Sequence, residues 1–135
     1  MISPEGLLAI AIGAVPGALV RYYVGLWSDR RFGTLVFGTL SVNLMGAFLM
    51  GLLSHVLARW GAPQWLSYGI TVGFLGSLTT FSTFTLEVSN LRREGYPRIA
   101  WFYWLSTPIL GFLCVEAGIG LSHLFEMGLA ADAGQ

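Results

Sequence analysis

The chain has 135 residues, enough for one domain, with a 55% apolar and only 10% charged composition and a net charge of zero. Ordinary soluble domains carry roughly a quarter charged residues, and seven basic plus seven acidic side chains cannot cover a polar exterior. With a mean hydropathy of +0.69, much of the surface is therefore expected to face lipid, and no basic excess points to a nucleic-acid partner. Cys114 is the single cysteine, which excludes a disulfide framework and a thiolate metal site.

A membrane-crossing helix needs about 20 mostly apolar residues, and four segments qualify. The first runs from Pro4 to Trp27, with Ser3 as N-cap before a proline suited to the first helical position. No positive residue precedes it, unlike a secretory signal, so it is read as retained. The second runs from Gly33 to Arg59, the third from Gln64 to Leu91, and the fourth from Pro97 to Phe125. The connections are Ser28 to Arg31, Trp60 to Pro63, and Arg92 to Tyr96; turns this short give an up-down-up-down order with both termini on one side. The domain is expected to cover 1–126, followed by a frayed polar tail over 127–135. Arg30, Arg31, Arg92, Arg93 and Arg98 gather at one end against Arg59 at the other, which favours that first end in the cytoplasm.

Polar groups inside lipid are costly and turn toward the bundle interior or a wet cavity. Few are present: Arg21, Asn43, the cluster from Thr79 to Thr83, Glu87, Tyr103, Ser106, Thr107 and Glu116. Gly73 to Phe84 places two glycines, five hydroxyl residues and three phenylalanines within twelve positions at mid-span. Glycine, serine and threonine are weak helix formers, so the segment either unwinds and turns carbonyls inward or stays helical with its hydroxyls bonded back to its own backbone. Unwound, its carbonyls and hydroxyls are hard oxygen ligands for a small cation.

Phe81 and Phe84 are three apart on one face. They either pack or present positive ring edges to an anion. Asn43 brings two amide donors, or serves only as interhelical glue. Arg21 can snorkel to the interface, and Glu87 can be solvated or paired with arginine. Gly13, Gly17, Gly46 and Gly51 read as close helix packing. His55 and His123 stand apart near helix ends with no nucleophile or metal set beside them, so no enzyme is expected.

Three motifs in order carry a family resemblance over nearly the whole chain. Gly13-Ala14-Val15-Pro16-Gly17-Ala18-Leu19-Val20-Arg21-Tyr22, Gly38-Thr39-Leu40-Ser41-Val42-Asn43-Leu44-Met45-Gly46-Ala47-Phe48 and Gly73-Phe74-Leu75-Gly76-Ser77-Leu78-Thr79-Thr80-Phe81-Ser82-Thr83-Phe84 resemble the first three helices of the Fluc, or CrcB, fluoride channels. The resemblance implies an all-α membrane protein of four transmembrane helices, the third broken at mid-membrane, working as an antiparallel, dual-topology dimer with two fluoride pores. It implies a structural Na⁺ on the two-fold axis, held by the carbonyls of Gly76 and Thr79 from both subunits. It places Asn43, Phe81, Phe84, Ser82, Thr83, Glu87, Tyr103 and Thr107 along the fluoride path and Arg21 at an aqueous vestibule.

The implied role is passive export of fluoride through the cell (inner or plasma) membrane, relieving its toxicity. The implied partners are fluoride, membrane lipid and a second inverted copy. The arginine imbalance also admits an oppositely inserted homologue. Ser77 departs from the glycine common at that position, and the break is expected to survive because carbonyls do the coordinating. The competing reading, a small multidrug-type proton/cation antiporter, needs a membrane-embedded carboxylate in the first helix, where this chain has only Glu5 at the edge. A non-transporting scaffold would leave Asn43, the threonines and the two rings unexplained.

Overall fold

The computed structural model describes the backbone of residues 2–132, with side chains over the same range except at 126 and 128–132. Among the described residues, four helices long and apolar enough to cross a membrane follow one another: Pro4–Phe32, Val36–Arg59, Gln64–Arg93 and Pro97–Phe125. The first is α1 (Pro4–Phe32), the second α2 (Val36–Arg59). The third is assembled from α3 (Gln64–Tyr68), a π-helical segment (Gly69–Leu75), α4 (Gly76–Leu78) and α5 (Phe81–Arg93); α6 (Pro97–Asp132) forms the fourth.

The Ser3 hydroxyl accepts the Gly6 amide at 3.2 Å and caps α1, with Pro4 opening the helix. The first connection is shorter than the sequence suggests, because α1 runs through Ser28 to Arg31 and stops only at Phe32. Buried Ser28 accounts for the extension. Its hydroxyl donates to the Thr34 carbonyl at 2.7 Å and accepts the Gly38 amide at 2.9 Å, joining the end of α1 to the start of α2. Gly33 then turns the chain at φ 68°, and Gly61 and Gly95 do the same in the other connections. At the far end α6 continues to Asp132, carried by helix formers such as Ala130 and Ala131, so most of the expected tail is helical; 133–135 lie outside the described residues.

α2 packs most extensively on α6, and α1 on the π segment, with α5 closing against α6. Glycines set these distances: a Cβ on Gly13 or Gly17 would overlap the carbonyls of Gly69 and Phe74. The dry centre is small, formed by Val42, Leu75 and Leu78. Large apolar side chains such as Leu8, Ile12, Phe102 and Phe112 stand exposed along the outside. In water such a surface would aggregate; against lipid or a partner helix it is satisfied.

Candidate functional site: an opened helix beside a ring-lined cleft

The polar residues converge where the third span opens. Thr79 (φ −81°, ψ 154°) and Thr80 (φ −149°, ψ 126°) are extended between α4 and α5. The cause is Asn43 on α2. Its Nδ2 donates to the Thr80 carbonyl at 3.0 Å, and its Oδ1 accepts the Thr80 amide at 2.8 Å. In a continuous helix that amide would bond to the Gly76 carbonyl. One turn on, the Thr83 amide bonds to Thr80 Oγ1 at 3.3 Å instead of to the Thr79 carbonyl, and so caps α5. Both displaced carbonyls, Gly76 and Thr79, thus lose their helical donors.

Gly46, three residues beyond Asn43, makes room for this: a Cβ there would overlap Thr79 Cγ2. The two states that the sequence leaves open for the hydroxyls coexist. Ser77 and Thr79 donate back to the carbonyls of Phe74 (3.0 Å) and Leu75 (3.1 Å), while the backbone opens immediately after them.

A cleft of about 530 Å³ lies against the opening and gathers Asn43, Gly76, Thr79, Phe81, Phe84 and Thr107. A second, of about 350 Å³, lies on the other side of Thr80 and contains Arg21, Asp29, Thr39 and Thr83. A larger cleft of about 670 Å³ between α1 and the third span is lined mainly by Leu8, Ile12, Trp65, Ile70 and Phe74, and has no comparable set of donors.

The two phenylalanines differ sharply in setting. Phe81 is 75% exposed and Phe84 only 4%, with ring centroids 5.9 Å apart. Phe84 meets Tyr103 edge-on at 5.0 Å and 78°. Phe81 therefore projects outward from the four-helix chain, while Phe84 is locked inside it.

Glu87 is neither solvated nor paired with arginine. It is buried, and each carboxylate oxygen accepts a hydroxyl: Thr39 Oγ1 at 2.6 Å and Tyr103 Oη at 2.8 Å. Thr107 donates to the Tyr103 carbonyl at 2.8 Å, so the hydroxyl protons of Thr39, Tyr103 and Thr107 are all engaged within the chain. Ser82 Oγ lies 3.3 Å from Thr80 Oγ1, on the exposed side of α5. Arg21 reaches inward, and its Nη1 donates to the Thr79 carbonyl at 3.4 Å.

Sequence reasoning did not single out Thr39 or the capping role of Thr80. The available signal was spacing: Thr39, Asn43 and Gly46 lie at i, i+4 and i+7 on one face of α2.

A family model described as "CrcB-like protein, Camphor Resistance (CrcB)" matches residues 8–119. A "Fluoride-specific ion channel FluC" of Trichormus variabilis is 40% identical over 126 residues, 90% of this chain and 91% of its own length. The protein so named in Synechococcus sp. (strain JA-2-3B'a(2-13)) is 38% identical, covering 93% of this chain and all of its own. Another, from Bordetella petrii, is 42% identical over 89% of this chain and 93% of its own.

Proposed function

The chain belongs to the CrcB-like family of multi-pass membrane proteins, and from that membership we propose that it is one half of a fluoride-selective channel. The pores form when a second, inverted copy joins it, giving two per dimer. The observation that carries this reading is the Asn43–Thr80 pair, which opens the third span beside a cleft containing two phenyl rings.

Fluoride is small and tightly hydrated, so a pore must replace water's hydrogen bonds at little net cost. Neutral donors and ring edges do this without holding the ion as a fixed buried cation would. Phe81, exposed at the rim, meets the ion first, and the edge-on Phe84–Tyr103 pair forms the inner wall. Asn43 keeps one amide hydrogen beyond the one it gives Thr80. The hydroxyls of Tyr103 and Thr107 already donate to Glu87 and to the Tyr103 carbonyl, so these residues shape the path without giving the ion a hydrogen bond. Thr39 and Tyr103 cover both oxygens of Glu87, which keeps its charge from facing a passing anion bare. Ser82 and Thr83 add hydroxyls at the start of α5, and Arg21 in the neighbouring cleft draws anions toward the opening.

A Na⁺ ion fits the donor set. The Gly76 and Thr79 carbonyls are released from helical bonding by the same contacts that open the span, and carbonyls are hard ligands. Arg21 takes one side of the Thr79 oxygen through a long contact of 3.4 Å and leaves its second lone pair. These carbonyls, with the equivalent pair of an inverted copy, would hold the ion, which would supply positive charge at the broken spans. Passive flow through such a dimer carries fluoride out of the cytoplasm down its gradient.

Efflux from liposomes containing the purified protein tests the reading: fluoride leaves and chloride stays. Equal release of both ions, or of neither, overturns it. Accessibility of a C-terminal tag distinguishes the assemblies, since two-sided labelling supports an inverted homodimer and one-sided labelling a pair with a homologue.

A further inference from the structure

Two clefts flank α5 at the arginine-rich end of the bundle, and they differ in charge. One, of about 460 Å³, lies between the start of α2 and α5 and has Asp29, Glu87 and Glu94 in its walls. The other, of about 240 Å³ between α5 and α6, is lined by Val88, Arg92, Ala100, Trp101 and Trp104, an arginine with no carboxylate. Arg92 and Arg93 occupy the last turn of α5 and outweigh the partial negative charge of its carbonyl end. The smaller cleft meets the ring-lined one, because Trp104 borders both. Along α5, Phe84, Val88 and Arg92 recur every four residues and share one face. Trp101, Trp104 and Pro108 do the same along α6. The two clefts thus form one groove between α5 and α6, with Arg92 about 12 Å along the helix from Phe84. Glu87 and Tyr103, bonded to each other, line neither part of it.

We propose that this groove is the outer segment of the fluoride path, with Arg92 gathering the anion at its mouth and Trp104 passing it to the phenyl rings. The inference rests on the channel reading above and extends it to residues outside the family motifs. Arg92 is exposed, so its guanidinium concentrates fluoride without stripping its water and releases it readily. The indole of Trp104 offers a positive ring edge and one N–H, a neutral donor of the kind the ion needs once it leaves water. The acidic cleft on the other side of α5 repels the same ion. The outer side of the groove is open in the single chain, and the second copy required by the channel reading would close it. The competing occupant is a lipid chain lying beneath an interfacial tryptophan pair.

The test records fluoride current from the full chain in planar bilayers, with Cys114→Ser as background so that an introduced cysteine is the only one. V88C puts a thiol between Arg92 and Phe84. An anionic methanethiosulfonate reagent converts it to a mixed disulfide, releasing sulfinate, and blocks the current, because the thiolate forms only where water reaches it. L86C, two residues away on the opposite side of α5, keeps its current. At low salt and low fluoride, R92Q lowers the current about two- to threefold, the factor for one charge about 7 Å away in water. R92K retains the current, and sodium gluconate at about 1 M erases the difference. W104L lowers it about 2- to 10-fold, and W104F less because the ring edge remains. A V88C channel that conducts undisturbed through the reagent shows a groove filled by lipid and overturns the proposal. So does wild-type current in W104L, or an R92Q loss no larger than that of R93Q, whose residue lines neither cleft. Because Arg92 is exposed, R92Q keeps the test valid if V88C disturbs packing. A wild type without fluoride current defeats the channel reading itself, and the groove with it.

Discussion

The contact between Gly46 and Thr79 offers the most direct test of how the third span is held open. A Cβ at position 46 meets essentially one group: it overlaps Thr79 Cγ2, while its next neighbours, Thr79 Cβ and Leu78 Cδ2, lie at ordinary distances of 3.8 and 3.9 Å. Overpacking of this kind costs about 1–3 kcal/mol. Alanine in place of glycine inside a helix returns about 1 kcal/mol. The net effect of Gly46→Ala is thus between neutral and about 2 kcal/mol destabilising. Thr79→Ser removes the offending methyl but keeps the hydroxyl that donates to Leu75 and the backbone carbonyl. In that background the overlap is gone and Gly46→Ala stabilises by about 1 kcal/mol. The coupling between the two sites is therefore about 1–3 kcal/mol, within the range seen for residues in contact. Equilibrium unfolding of the wild type, both single variants and the double variant in mixed micelles measures it. If Gly46→Ala changes stability equally in both backgrounds, α2 does not hold the opening through this contact.

Asn43→Leu preserves bulk but removes both partners of buried Thr80, at about 1–3 kcal/mol per stranded group. Hydrogen exchange at the Thr80 amide then speeds by about 5- to 150-fold, or the amide returns to Gly76 and closes the opening; either way fluoride efflux falls. Unchanged exchange together with wild-type efflux would refute the clamp. Phe81→Ile and Phe84→Ile keep volume and delete the ring edge. Liposome assays should show slower fluoride flux in both, with the larger loss of thermal stability in Phe84→Ile because only that ring is buried. Wild-type flux in both variants would show that the rings only pack. Tyr103→Phe strips one Glu87 oxygen of its donor and costs about 1–3 kcal/mol, visible as a lower unfolding temperature; no change would mean that another donor replaces it.

Hydropathy and local chemistry by themselves determined the four spans, the cap at Ser3–Pro4 and the unusual character of Gly73 to Phe84. These are one-dimensional properties: an apolar run of sufficient length has little choice but to cross the bilayer as a helix, since backbone groups in lipid must be satisfied within the segment. The end of α1 was decided elsewhere, by the bonds of buried Ser28 to Thr34 and Gly38 across the turn. Likewise, nothing local distinguishes hydroxyls that bond back along their helix from a backbone that opens. That choice was made by Asn43, 37 residues from Thr80, and by the space left at Gly46.

Glu87 shows the same division. Its position in an apolar segment was plain from the chain, but a buried carboxylate is tolerable only through partners, and those stand 48 residues back at Thr39 and 16 ahead at Tyr103. Even the two rings three apart on α5 read alike in sequence and differ in the fold, because α6 covers Phe84 and leaves Phe81 bare. Which segments enter the membrane, and which residue types they carry there, follows from the order of residues along the chain. Which of those polar groups are already satisfied depends on the packing of the helices, because their partners lie on other helices.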